Sequence, residues 1–111
     1  MTTNIFFNSI APLVSVQISD GGATPVAGES YSLTCSVSGA ENLNPTITYQ
    51  WTQNNDTVTH MNSETLPFST LRVTDAGDYV CQLNVNSGYL IQAIGASSNP
   101  FSVEFESKFV F

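Results

Sequence analysis

An all-β sandwich is the fold class this sequence predicts, and three observations predict it. Apolar residues recur with a period of two in short runs, and clusters of Gly, Asn, Asp and Ser separate the runs at regular spacing. No stretch of ordinary helix length shows the 3.6-residue period of an amphipathic helix. The composition agrees: aromatic residues make up 11% and charged residues only 10%, so that polarity comes from Ser, Thr and Asn. Those residues, with Val, Ile, Tyr and Phe, suit a half-buried pleated surface and its turns. A chain of 111 residues has room for one core and one domain.

The strands follow in order. Leu13 to Ser19 sets Val14, Val16 and Ile18 against Ser15, Gln17 and Ser19, and Asp20-Gly21-Gly22 ends it. Pro25-Val26 reads as a short resumption on a sheet edge, where the missing proline amide is tolerated. Tyr31 to Val37 puts Tyr31, Leu33, Cys35 and Val37 on one face. After the polar loop Gly39 to Pro45, a third run turns Ile47, Tyr49 and Trp51 one way and Thr48, Gln50 and Thr52 the other. Asn54-Asn55-Asp56 makes a tight turn into a short polar strand, Thr57 to His60. Thr65 to Leu71 carries Leu66, Phe68 and Leu71 inward, and Arg72 to Gly77 forms a corner. Asp78 to Val85 buries Tyr79, Cys81, Leu83 and Val85. A hairpin begins at Asn86-Ser87-Gly88, and the final strand runs from about Ala93 to Phe105 with a bulge at Asn99-Pro100.

The cysteines take their meaning from this pattern. Two in-facing cysteines on separated strands, with a Trp between them in sequence, suit an inter-sheet bridge on which the indole packs. At the corner stands Asp75-Ala76-Gly77-Asp78-Tyr79-Val80-Cys81, with a Tyr two residues before the second Cys. Cys35, Trp51 and this Asp-x-Gly-x-Tyr-x-Cys run together resemble the immunoglobulin superfamily, over roughly residues 12–106. The resemblance implies an antiparallel sandwich with strands A and A′, B, C, C′, E, F and G, with D short or absent because the interval from Trp51 to Cys81 is short. An intermediate-type or second constant-type domain fits that interval better than a variable-type one. It further implies a Cys35–Cys81 disulfide and a tyrosine corner at Tyr79, with Trp51, Leu33 and Leu66 in the core and Asp75 and Gly77 shaping the corner. No basic residue lies between Cys35 and Arg72, so Asp75 must find backbone donors or Arg72. Leu71 to Gly77 also resembles the corner of metazoan receptor domains, including receptor tyrosine kinase ectodomains and adhesion molecules.

Charge narrows the function classes. The formal net charge is −7, and Arg72 and Lys108 are the only basic side chains. No patch can neutralise a row of phosphates, which excludes nucleic acid, and the same shortage argues against anionic headgroups. No run of eighteen apolar residues exists to span a membrane. His60 is the single histidine and has no nucleophile or aligned carboxylate pattern beside it, so no enzyme activity is expected. Asp75 and Asp78 fall short of the six to eight oxygens calcium takes, and neither a metal nor a cofactor is expected.

The expected role is therefore recognition. A disulfide persists in oxidising compartments, which points to an extracellular module, the ectodomain piece of a single-pass receptor or adhesion molecule. Its partner would be a protein ligand or another immunoglobulin domain, the alternative being a passive spacer in an array. Two surfaces qualify. Tyr89, Leu90 and Ile91 form an apolar cluster at the last hairpin, which either anchors a partner or folds Leu90 or Ile91 inward to cap the sandwich. Gln50 and Gln82 lead an uncharged, amide-rich face that is either a flat contact surface or an ordinary solvated sheet. Asn55-Asp56-Thr57 is an N-x-[ST] acceptor on a turn, a glycosylation site in an exported protein. Residues 1–11 and 107–111 read as linkers or a preceding start, with apolar character at Ile5, Phe6, Phe7, Phe109, Val110 and Phe111.

Overall fold

A computed structural model describes residues 14–58 and 62–105. The terminal segments assigned to linkers, and His60, lie outside the described residues. Among the described residues eight strands form: β1 (Ser15–Ser19), β2 (Tyr31–Ser38), β3 (Thr46–Gln53), β4 (Asp56–Thr57), β5 (Thr65–Phe68), β6 (Gly77–Asn86), β7 (Ile94–Ser97) and β8 (Phe101–Val103). They make two antiparallel sheets. One has the order β1-β2-β5; the other has the order β4-β3-β6-β7, with β8 also on β6. In the lettering above these are A-B-E and C′-C-F-G, and no D strand appears among the described residues.

The sheets close on each other because each strand turns one apolar row inward. β6 alternates without a break, burying Tyr79, Cys81, Leu83 and Val85 and exposing Asp78, Gln82, Asn84 and Asn86. β2 does the same with Tyr31, Leu33 and Cys35, and Val37 half-buried. Leu33 stands opposite Leu66, and Trp51 opposite Cys81. Trp51, Tyr79, Leu33, Leu71, Val85, Val103 and Cys81 are essentially sealed from solvent. Burial of side chains of this size stabilises by about 1.5–3 kcal/mol each, which makes this layer the main source of stability. Phe68 meets Tyr79 edge-on, with ring centroids 5.9 Å apart.

Two expectations need correction. No A′ strand forms at Pro25-Val26. Gly21, Gly22 and Gly28, all at positive φ, turn the chain sharply, and Pro25 has no amide to give a ladder. The loop is clipped instead to the corner segment: Gly28 N–H donates to the Leu71 carbonyl, and Leu71 N–H to that of Glu29. The C′ strand covers Asp56–Thr57, starting one residue before the expected Thr57, and Val58 is already outside it, while Thr59 and His60 lie outside the described residues. Asn54 and Asn55 both have positive φ, 50° and 74°, so a two-residue hairpin turn joins β3 to β4.

The final strand is broken where the bulge was expected. Three residues, Ser98, Asn99 and Pro100, face two on β6, Val80 and Cys81, between the pairs Gln82–Ser97 and Tyr79–Phe101. The bulge turns Ser98 inward, where its hydroxyl accepts the Cys81 N–H at 3.0 Å while Ser98 N–H donates to the Cys81 carbonyl at 2.9 Å. The disrupted ladder is thus repaired by a side chain.

Candidate recognition surface

Strand direction puts the loops at two ends. β2 runs into the loop 39–45 and β6 runs into the loop 87–93, so the B–C and F–G loops share one end. The A–B loop, the β3–β4 turn and the E–F corner share the other.

At the first end the F–G loop is braced. The Ser87 hydroxyl donates to the Leu43 carbonyl at 2.6 Å and accepts the Tyr89 N–H at 3.1 Å, and Leu90 N–H donates to the Ser87 carbonyl. Leu43 belongs to a one-turn 3-10 helix, Glu41–Leu43, in the B–C loop. Leu43 and Leu90 both pack against the core. The three apolar residues of the tip therefore part company. Leu90 folds inward and caps the sandwich, which removes it from the contact surface. Tyr89 at 77% exposure and Ile91 at 101% stand in solvent. Nothing in the apolar run distinguishes Leu90 from Ile91; the brace does, and its one sequence signal is a Ser opening a Gly-containing turn.

The outward side of C′-C-F-G continues from this tip. Gln50 lies opposite Gln82 and Thr48 opposite Asn84, with Ser97 and Gly95 next in line on β7. Gln50 Nε2 donates to the Thr57 hydroxyl at 3.4 Å. These residues and Val58 line a shallow open concavity in which the Tyr49 phenol is the only ionisable side chain among the described residues, held above its ordinary pKa by burial and then by the charge of Glu64. An uncharged amide and hydroxyl surface of this kind makes neutral hydrogen bonds and sheds its water at little electrostatic cost.

The residues implied by the resemblance meet in the interior. Cys35 and Cys81 form the disulfide, with Cα atoms 6.3 Å apart. The Trp51 indole N–H, buried beside it, donates to the Ser63 carbonyl at 2.9 Å. At the corner a 3-10 turn, Val73–Asp75, lets the Asp75 carboxylate accept the Arg72 backbone N–H at 2.7 Å, a backbone donor as the sequence required. The Tyr79 hydroxyl donates to the Asp75 carbonyl at 2.5 Å. Burial, and then the charge of Asp75, push this phenol up to about 12. Gly77 has φ +140° and touches the Asn54 side chain. Gln53 went unnoticed in the sequence; its Nε2 donates to the carbonyls of Thr74 and Ala76 and ties β3 to the corner. All of these act in the fold, and none offers chemistry to a substrate.

Comparison with known proteins agrees with the geometry. The family model described as "Immunoglobulin domain" matches residues 14–105. Mucosa-associated lymphoid tissue lymphoma translocation protein 1 homolog of Mus musculus is 32% identical over 78 residues, which are 70% of this chain and 9% of that protein. Its Homo sapiens counterpart is 31% identical over 75 residues, 68% of this chain and again 9% of the relative. The chain thus spans about a tenth of the length of these relatives. Among solved structures, the three N-terminal domains of the bacteriophage RB49 Highly Immunogenic Outer Capsid protein superpose with a TM-score of 0.66 at 26% identity, covering 84% of this chain and 29% of that one. With the Cys35–Cys81 bridge, Trp51 and the Tyr79 corner in place, and a family match over nearly all of the described residues, this chain belongs to the immunoglobulin domain family.

Proposed function

We propose that this chain is an extracellular recognition module of a cell-surface receptor, of the receptor tyrosine kinase or adhesion type, that binds a protein ligand or another immunoglobulin domain. The observation that carries the reading is the pair Tyr89 and Ile91, exposed on a loop that Ser87 and Leu90 hold in place. An aromatic and an aliphatic side chain presented without loop disorder lose little entropy on contact, which is the condition for a hot spot. The uncharged Gln50–Gln82 face beside them supplies a polar surround. The disulfide supports the extracellular setting, since such bonds persist in oxidising compartments.

The test displays the folded chain as a multimer against an array of extracellular domains that includes the chain itself. A partner found in this way binds the Tyr89→Ala/Ile91→Ala variant about 30-fold more weakly, the effect of losing about 2 kcal/mol at a hot spot. A variant that stays folded and binds as before overturns the reading. A chain with no partner and no self-association acts as a spacer.

The likeness to the outer capsid protein favours a second setting, display on a virion surface. Antibodies against the chain separate the two, by labelling intact cells or purified virions.

A further inference from the structure

The two asparagines of the β3–β4 turn are not equivalent. Asn54 is engaged: its Oδ1 accepts the Asp78 N–H at 3.0 Å, its own N–H donates to the Asp78 carbonyl, and its side chain lies against Gly77. Asn55 occupies the second turn position at φ 74° and is exposed, as are Asp56 and Thr57 after it. Asn55-Asp56-Thr57 satisfies the N-x-[ST] rule; Asn44-Pro45-Thr46 has the same spacing, but Pro45 disqualifies it. The fold thus leaves in solvent the one asparagine whose sequence context permits modification, and spends its neighbour on the corner.

We infer that Asn55 carries an N-linked glycan. The inference rests on the extracellular reading, because attachment takes place in the secretory pathway. In the transfer, Asn55 Nδ2 attacks the anomeric carbon of an oligosaccharide held on a polyprenyl diphosphate. The N–C bond forms, the C–O bond to the diphosphate breaks, the lipid diphosphate leaves with the electron pair, and the amide gives up one proton.

The position is compatible with recognition. Asn55 follows the lower end of β3, whereas the F–G tip lies beyond its upper end, about 26 Å away for eight residues at about 3.3 Å each. A glycan here stands beside β4, the two-residue strand at the end of its sheet's order, and leaves Tyr89 and Ile91 free.

The experiment expresses the chain behind a secretion signal in eukaryotic cells and reads the Asn55 peptide by mass, before and after an amidase that releases N-glycans and converts the linked Asn to Asp. A glycan mass at Asn55 is expected, kept in Thr57→Ser and lost in Thr57→Ala and Asn55→Gln. Secreted protein with an unmodified Asn55, or with the glycan unaffected by Thr57→Ala, overturns the inference. Thiol titration of the same material is a separate readout: free Cys35 and Cys81 count against the extracellular reading whatever the state of Asn55.

Discussion

Glycine is required at position 77 for two independent reasons. Its φ of +140° is one that L side chains rarely adopt, and a Cβ there would meet Asn54 Nδ2 at 2.6 Å. Gly77→Ala therefore incurs backbone strain and a clash together, with an expected loss of about 2 kcal/mol. Urea unfolding checks this as a lower midpoint with an unchanged slope. Ser98 is the second such residue. It is buried, and its hydroxyl is what the Cys81 N–H bonds to where the bulge interrupts the ladder. Ser98→Ala leaves that donor unsatisfied in the interior and costs about 1–3 kcal/mol, whereas Gln50→Ala on the exposed face changes stability by less than about 0.5 kcal/mol.

Elements whose own residues decide their state were legible in the sequence; elements decided by distant partners were not. β2, β3 and β6 keep a period of two over eight to ten residues, and burial follows the alternation because a sheet face has no other way to seal its core. Cys35, Trp51 and Cys81 could be placed inward from that rule alone. Pro25-Val26 has strand composition as well, but the Val26 carbonyl accepts the Glu29 N–H in a local turn, and it is Gly28 and Glu29 that bond to Leu71 across the corner, a partner no local pattern names. The F–G loop shows the same limit: Leu90 and Ile91 are chemically alike, and only the Ser87–Leu43 bond and the space above the core assign one inward and one outward. That bond is testable in its own right. Ser87→Ala removes the brace from both loops, so amide exchange across residues 87–91 accelerates while the β6 core amides stay protected, as exchange followed by mass spectrometry would read. Equal protection in the variant would mean that Leu90 alone holds the loop. If the proposed reading of Tyr89 and Ile91 holds, partner binding falls with the brace even though neither is altered, because the loop must then be ordered on contact.

Among the described residues charge is uneven from end to end. Asp20, Glu29, Asp56, Asp75, Asp78 and Glu104 gather at the A–B and E–F end or the turn beside it, whereas the F–G end carries Glu41, and Glu64 stands just before β5. The disulfide joins the two sheets between these ends, closing a separation of 46 residues, which stabilises by about 4 kcal/mol in the chain-entropy account. Two buried phenols face the acidic end, and their titration reports on it. The Tyr31 hydroxyl donates to Asp20 Oδ2 at 2.6 Å; burial first and this bond second hold its pKa well above the usual value. Tyr79 is raised to about 12, chiefly by burial. In the unfolded chain both would ionise near about pH 10. Below that pH both states keep the proton and the stabilisation is fully present. From about pH 10 towards 12 the unfolded chain sheds protons that the native fold retains, so stability falls as pH rises, by at most about 1.4 kcal/mol per pH unit for each phenol. Urea midpoints should accordingly be flat from pH 8 to 9 and drop by pH 11. Tyr79→Phe starts lower at pH 8, because the Asp75 carbonyl loses its donor, yet declines less steeply above pH 10 with one titrating group fewer. A variant that declines as steeply as the parent would mean that Tyr79 ionises as readily in the fold as out of it, and that the corner does not exclude the phenolate.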